Sequence, residues 1–192
     1  MLQRLQELTD ISTGYPFRGK IYPEEGGDVV VLQIRDITAS AGLVLGDGIR
    51  LNGQDGKFDR YLLQMGDVLF QSRGSQHPVV VVSQPIRGIA ALGLHVLRPN
   101  PARVLPEYLG WYLNLPNTQD KLKDSARGSQ IPFVSKGDLA EFQVPVPPIE
   151  MQHKIVDVEH QRRKEQQLAG QLHQLQQQYL YAIALKFSAP GK

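Results

Sequence analysis

The 192-residue sequence contains no cysteine, which removes disulfides, thiolate metal sites and cysteine nucleophiles together. It also lacks a long apolar run. The longest, Pro78 to Val82, falls far short of the ~20 residues needed to cross a bilayer. The first twelve residues carry Glu7 and Asp10, unlike a secretory signal. A soluble, cytoplasmic protein is the expectation. Charge of one sign is scarce too. The whole chain is only +2, and residues 1–148 hold fifteen Lys and Arg against fifteen Asp and Glu, leaving six against four in residues 149–192. The basic excess by which phosphate binders usually announce themselves is therefore missing, and any such surface must come from clustering in space.

Catalytic signatures are absent as well. The five histidines, His77, His95, His153, His160 and His173, form no HExxH pair or other metal spacing. His153 and His160 share a helix face inside a polar stretch and read as solvated; His95, between Leu94 and Val96, reads as structural. There is no Gly-x-Ser-x-Gly elbow. The Gly42, Gly46 and Gly48 segment lacks the lysine of a phosphate-binding loop. Acids stand singly at Asp36, Asp47, Asp55, Asp59 and Asp67. The expectation is a chain with no enzymatic activity, no metal and no cofactor. An enzyme would need a site that converges only in the fold.

What is present divides at Pro145-Val146-Pro147-Pro148. Before it, short apolar segments alternate with Gly, Pro and Asp clusters. Residues 29–34, 67–70, 78–82 and 89–97 read as strands, and 142–146 as a last edge strand that tolerates Pro145. Residues 105–115 read as a helix with Pro106 near its start, and 136–140 as a helical turn. Tyr108, Trp111 and Tyr112 fall at helical spacing beside Leu109 and Leu113 and read as core. Strands and helices without regular alternation predict an α+β domain with a mixed sheet over residues 1–148.

After the boundary, residues 149–187 hold a single glycine, Gly170, and no proline. Pro147 and Pro148 mark a helix entry, and Glu150 sits where the dipole favours an acid. A helix of ~38 residues would span ~57 Å. Leu168, Leu172, Leu175, Tyr179 and Ala182 recur at spacings of four and three, with Leu180 and Ile183 widening the stripe, as a coiled coil requires. A single helix packed on its own domain is the alternative. The polar span from Gln161 to Gln167 fits solvent better, so the predicted role of Leu168, Leu172, Leu175, Tyr179 and Ile183 is homodimerisation.

Several segments resemble the specificity subunits of type I restriction-modification systems. The run Ile131-Pro132-Phe133-Val134-Ser135-Lys136-Gly137-Asp138-Leu139 looks like that family's serine-lysine turn. Phe142 to Val156 is similar to its proline-rich strand and the PPLxEQxxI entry to a long helix, with Met151 replacing the usual glutamate and Gln152 retained. Leu8 to Gly19 looks like the family's opening, Leu63 to Gly74 like its GDxLxxxxG hairpin, and Pro106 to Leu113 like its PEYLxxYL helix. Taking 131–156 as one, four segments in order span nearly the whole chain. The resemblance implies a target recognition domain at 1–148 and a conserved helix at 149–187 acting as spacer, dimer arm and methyltransferase dock. A full subunit of the family holds two such units; this chain resembles one.

If so, base readout falls to forked donors and acceptors, and phosphate contacts to Arg, Lys, Ser and Thr. Three places concentrate them: Gln71, Ser72, Arg73, Ser75 and Gln76 between two predicted strands; Lys121, Lys123, Arg127, Ser129 and Gln130; and Arg18 with Lys20. Polar loops turned by glycine are the plain alternative. The expected partners are double-stranded DNA, a modification methyltransferase, a restriction or translocase subunit where one exists, and a second copy of the chain. The rival from another class is an interaction or regulatory protein that assembles through the helix without reading DNA. The neutral balance of residues 1–148 keeps it open.

Overall fold

The structure is a computed structural model that describes residues 1–38, 42–43, 48–125 and 132–188. The described elements run β1 (Leu2–Arg4), α1 (Leu5–Leu8), β2 (Thr9–Thr13), β3 (Val29–Leu32), β4 (Ile37–Thr38), β5 (Gly42–Leu43), β6 (Arg50–Leu51), β7 (Val68–Gln71) and β8 (Val79–Val81). They continue through β9 (Gly88–Ala90), β10 (Leu94–Pro99), α2 (Pro106–Leu113), α3 (Pro116–Ser125), α4 (Lys136–Glu141), β11 (Gln143–Pro145) and α5 (Ile149–Ser188). Cα proximity divides the chain into two compact units, Met1–His153 and Lys154–Lys192.

The first unit is α+β. Its largest sheet has the order β2-β10-β7-β8, all antiparallel. A second, mixed sheet has β3 between antiparallel β6 and parallel β9. The apolar run of β3 follows from its position: Val30 and Leu32 enter one buried cluster with Leu69, Val80 and Leu94. Val29 and Val31 enter another with Leu51, Phe58 and Ile89. A strand covered on both faces has no solvent side on which alternation could show. β1 pairs with β11, Leu2 opposite Pro145, which closes the unit near both its ends.

Three expectations are corrected. Residues 89–97 are two strands in different sheets, because the chain turns at Ala91–Gly93 with Leu94 N donating to Ala91 O at 3.2 Å. Gly93 has φ +107° there, a conformation that side chains avoid. The turn carries Ala91 and Leu92 and so interrupts no apolar pattern. The strand expected over 29–34 ends at Leu32, and Ile34–Asp36 is a 3₁₀ turn closed by Asp36, whose carboxylate accepts from Gln33 N at 2.7 Å. The helix expected over 105–115 ends at Leu113, and a separate helix, α3, follows it. Its sequence offers only Thr118 and Leu122 to the interior, too few to mark a helical stripe.

Buried amides organise the rest. Gln152 is fully buried; its Oε1 accepts from Leu105 N at 2.9 Å, and its Nε2 donates to Arg103 O and Pro147 O at 3.1 and 2.9 Å. It thereby supplies an acceptor to a backbone donor at the start of α2 that has no helical partner. Tyr108 donates its hydroxyl to Pro145 O at 2.7 Å, and burial pushes that phenol up to about 12. At α4, Ser135 and Asp138 form a capping box, Ser135 Oγ accepting from Asp138 N at 3.1 Å.

The second unit is helical where described. Near its start Glu159 accepts from Arg162 and Arg163 at 2.7 Å, contacts that hold its carboxyl down to about 2, the Arg162 bond first among them. Further on, Leu168, Leu172, Leu175, Tyr179 and Leu180 are all exposed, between 55% and 68%; Ile183 is half-buried.

Candidate nucleic-acid interface

The segment between β7 and β8 is fixed from below. Strand register sets Gln71 opposite Leu94. Beyond it Ser72 turns inward: its N and its Oγ both donate to Gly93 O at 2.9 Å, and its O accepts from Val134 N at 2.9 Å. Gly74 N donates to Pro132 O at 3.1 Å, and Arg73 makes a bridge with Phe133. Residues 72–74 and 132–134 therefore lie side by side, although 58 or more positions separate them in the sequence.

Two histidines hold this arrangement. Phe70 lies stacked between His77 and His95, with ring centroids 5.6 and 6.2 Å away and interplanar angles of 6° and 12°. His77 Nδ1 lies 2.9 Å from Gln71 O, and His95 Nε2 lies 3.0 Å from Val134 O. A carbonyl can only accept, so each of those nitrogens carries the proton. The opposite nitrogens, His77 Nε2 and His95 Nδ1, are buried and have no hydrogen-bond partner. Burial lowers both imidazoles from their ordinary 6.5, against the raising effect of the carbonyl bonds, and Lys123 near His77 and Lys136 near His95 push the same way as burial. Both rings are neutral anchors.

The helices brace the same loop. Gln119 on α3 accepts from His77 N at 3.0 Å and donates to His77 O at 2.8 Å and Leu113 O at 2.7 Å. Asn114 does the same for Val79, accepting from its N at 3.0 Å and donating to its O at 2.7 Å. Two side-chain amides thus satisfy the backbone at His77 and at Val79, the start of β8, the edge strand of the large sheet, where open groups would invite pairing with another chain. The missed helix α3 is what positions Gln119.

Above these anchors Arg73, Ser75 and Gln76 are exposed, and the Arg73 guanidinium sits 5.3 Å over the Phe133 ring. Gln71 is half-buried, its Nε2 donating to Arg73 O at 2.6 Å. Ser72 must be withdrawn from the candidates: it is buried and its hydroxyl is engaged by Gly93. On α3, Lys121 is exposed, and Lys123 lies 3.5 Å from Asp120. Arg127, Ser129 and Gln130 lie outside the described residues. Arg18 and Lys20 belong elsewhere, on an open cavity that none of the 71–76 residues line.

Sequence reasoning missed Phe133 and Lys136 in this neighbourhood, and Lys57, Arg60 and Tyr22 around that cavity. The second group had a signal: aromatic and basic residues interleave at 15–22 and again at 57–61. Among the described residues no group of three or more His, Asp or Glu could hold a metal. No helix among them is long and apolar enough to cross a membrane.

Residues 2–173 match the family model described as type I restriction modification DNA specificity domain. Similar solved structures include an HsdS subunit from Thermoanaerobacter tengcongensis, 22% identical with a TM-score of 0.59 over 91% of this chain and 39% of that one. A type I restriction-modification S subunit from M. genitalium is 16% identical, TM-score 0.57, over 82% of this chain and 37% of that one. A chain from a structure of type I R-M complex assembly and conformational transition is 20% identical, TM-score 0.68, over 100% of this chain and 50% of that one. The likeness at these identities is one of fold, and the chain spans half or less of each solved chain. No curated protein matches the sequence.

Proposed function

We propose that this chain, which belongs to the family of type I restriction modification DNA specificity domains, is a non-catalytic reader of DNA sequence that positions a modification methyltransferase. Residues 1–148 are the target recognition domain. Residues 149–187 are spacer, dimer arm and methyltransferase dock. The observation that carries the reading is the ridge of Arg73, Ser75 and Gln76, exposed above a loop whose backbone is pinned by His77, Gln119 and Ser72. Recognition needs forked side chains held on rigid elements, and this is such a place. Lys121 and Lys123, and Arg127, Ser129 and Gln130 by their residue type, supply further phosphate and base contacts.

Two copies joined through Leu168, Leu172, Leu175, Tyr179 and Ile183 form the working unit. Two-fold symmetry then makes the site a gapped palindrome. A restriction or translocase subunit docks where the host system has one, and the assembly works in the cytoplasm. The deciding experiment maps methylated bases in DNA from cells carrying the chain and its methyltransferase. A gapped palindromic motif is the expected result; methylation without any motif, or an undivided one, overturns the reading.

The even balance of charge over residues 1–148 favours one rival, an interaction or regulatory protein that assembles with specificity subunits through the helix without reading DNA. Charge neutralisation of Arg73 and Arg127 separates the two. Loss of selective binding supports the reader, and unchanged binding supports the rival.

A further inference from the structure

The second buried cluster, around Val29, Val31 and Phe58, does not close on its outer side. There the chain forms an open cavity of 730 Å³, within the ordinary range for small-ligand sites. Its wall is aromatic. The Tyr15 ring lies 4.7 Å from Phe17, 5.2 Å from Phe58 and 5.0 Å from Tyr61, and Tyr22 stands on the lining at 66% exposure.

The wall is pre-formed by the backbone. Tyr15 N donates to Ala90 O at 2.7 Å, and Leu92 N donates to Tyr15 O at 3.1 Å. Gly14 allows this approach: a Cβ there would lie 2.1 Å from Ala91 O. The residue at the centre of the wall is thus tied to β9 through Ala90 and to the following turn through Leu92.

The rim is mainly basic. Arg18, Lys20, Lys57 and Arg60 line the cavity against a single carboxylate, Glu24, which already accepts from Asn52 N at 2.7 Å. Lys57 pairs with Asp55 at 3.7 Å. No ion pair of Arg18, Lys20 or Arg60 is found among the described residues. Lys20 and Arg60 lie 5.3 and 4.9 Å over the rings of Tyr22 and Tyr61.

Flat π-faces beside unpaired cations suit a planar ring bearing an anionic group. A cube of the cavity's volume is about 9 Å on an edge, and the major groove of a duplex alone is about 12 Å wide. A stacked duplex cannot enter; one nucleotide can. We propose that this cavity binds a single nucleotide swung out of the stack of bound DNA, its base against the aromatic wall and its phosphates on Arg18, Lys20 and Arg60. Stacking on aromatic side chains suits any base, and unstacking costs least where a nucleotide is already unpaired. The inference rests on the reading of the chain as a DNA binder and adds a second, sequence-tolerant contact to it.

The test uses the full chain and fluorescence anisotropy with two labelled duplexes, identical except for one unpaired thymidine, with free thymidine monophosphate as competitor. The bulged duplex should bind about tenfold more tightly than the perfect one. The exposed pair Tyr22→Ala with Arg60→Gln should remove that preference and leave perfect-duplex binding within about twofold. Circular dichroism confirms that the variant is folded; a misfolded variant is replaced by Tyr22→Ala alone, read the same way. Equal binding of the two duplexes overturns the proposal. So does a preference that survives the variants, a loss that is equal for both duplexes, or thymidine monophosphate binding as tightly as the bulge. Selectivity between perfect duplexes with and without the methylation motif tests the reader itself, so failure of either idea is visible alone.

Discussion

The two units treat apolar and polar residues in opposite ways. In Met1–His153 most leucines and valines of the strands are buried, and even buried amides such as Gln152 are fully bonded. In Lys154–Lys192 the conspicuous apolar residues are the exposed ones, with Leu175 at 62% and Tyr179 at 68%. A domain that satisfies itself is specified by its own packing. A helix with a bare apolar stripe gains its stabilisation from burial against something else, because a long isolated helix draws little from propensity alone. The first unit therefore has the properties of a self-sufficient packed domain, and the second those of a helix whose apolar stripe is left to another surface.

The contrast breaks most severely at Asp67. Its buried carboxylate accepts from Arg98 at 2.8 Å twice and from Gln64 N at 2.8 Å. Asp67→Ala should cost about 3 kcal/mol, since removing one partner strands a charge and a backbone donor. Urea unfolding followed by Trp111, the single tryptophan, reports this in the first unit alone. Next in size, Leu172→Lys with Leu175→Lys should weaken self-association roughly 100-fold, about 3 kcal/mol, by sedimentation. The Trp111 unfolding midpoint should not move at fixed low protein concentration; a midpoint that falls as far as for Asp67→Ala would erase the distinction between the units.

Gln119→Ala sharpens the comparison within the first unit. It removes two bonds to the His77 backbone and one to Leu113, an expected loss of about 1–2 kcal/mol. Faster amide exchange at His77 and the edge strand, with α5 unaffected, is the reading. The smallest effect is pH dependence. His77 and His95 have folded-state values below 6.5, so the unfolded chain binds more protons as acid is added. The urea midpoint should be level above pH 6.5 and decline as pH falls below it. His77→Phe should flatten part of the decline; an unchanged slope would remove His77 from the account.

Much of the fold was legible because local chemistry announced it. Proline entry, lack of glycine and the four-and-three leucine spacing gave the long helix, and the turn expected over 136–140 falls within α4. The misses share a cause. α3 has too few buried positions to write a stripe, and the break between β9 and β10 falls in an apolar turn. At the candidate interface, the exposed Arg73, Ser75 and Gln76 and the buried Ser72 and His77 look alike as a polar string. Which of them points outward depends on Gly93, Gln119 and Val134, residues distant in the chain.

The sequence by itself determined the composition of the two units, the absence of motif chemistry and the bare stripe, because these depend on residue type and near-neighbour spacing. Tertiary structure alone decided that residues 72–74 lie against 132–134, that Phe70 is held between two neutral histidines, and that the basic residues near 18 and 60 surround one aromatic bowl. Residues 1–148, in which basic and acidic side chains balance, still gather cations on one surface. The fold brings cations from remote segments onto one face while carboxylates such as Asp67 and Glu24 are engaged in hydrogen bonds.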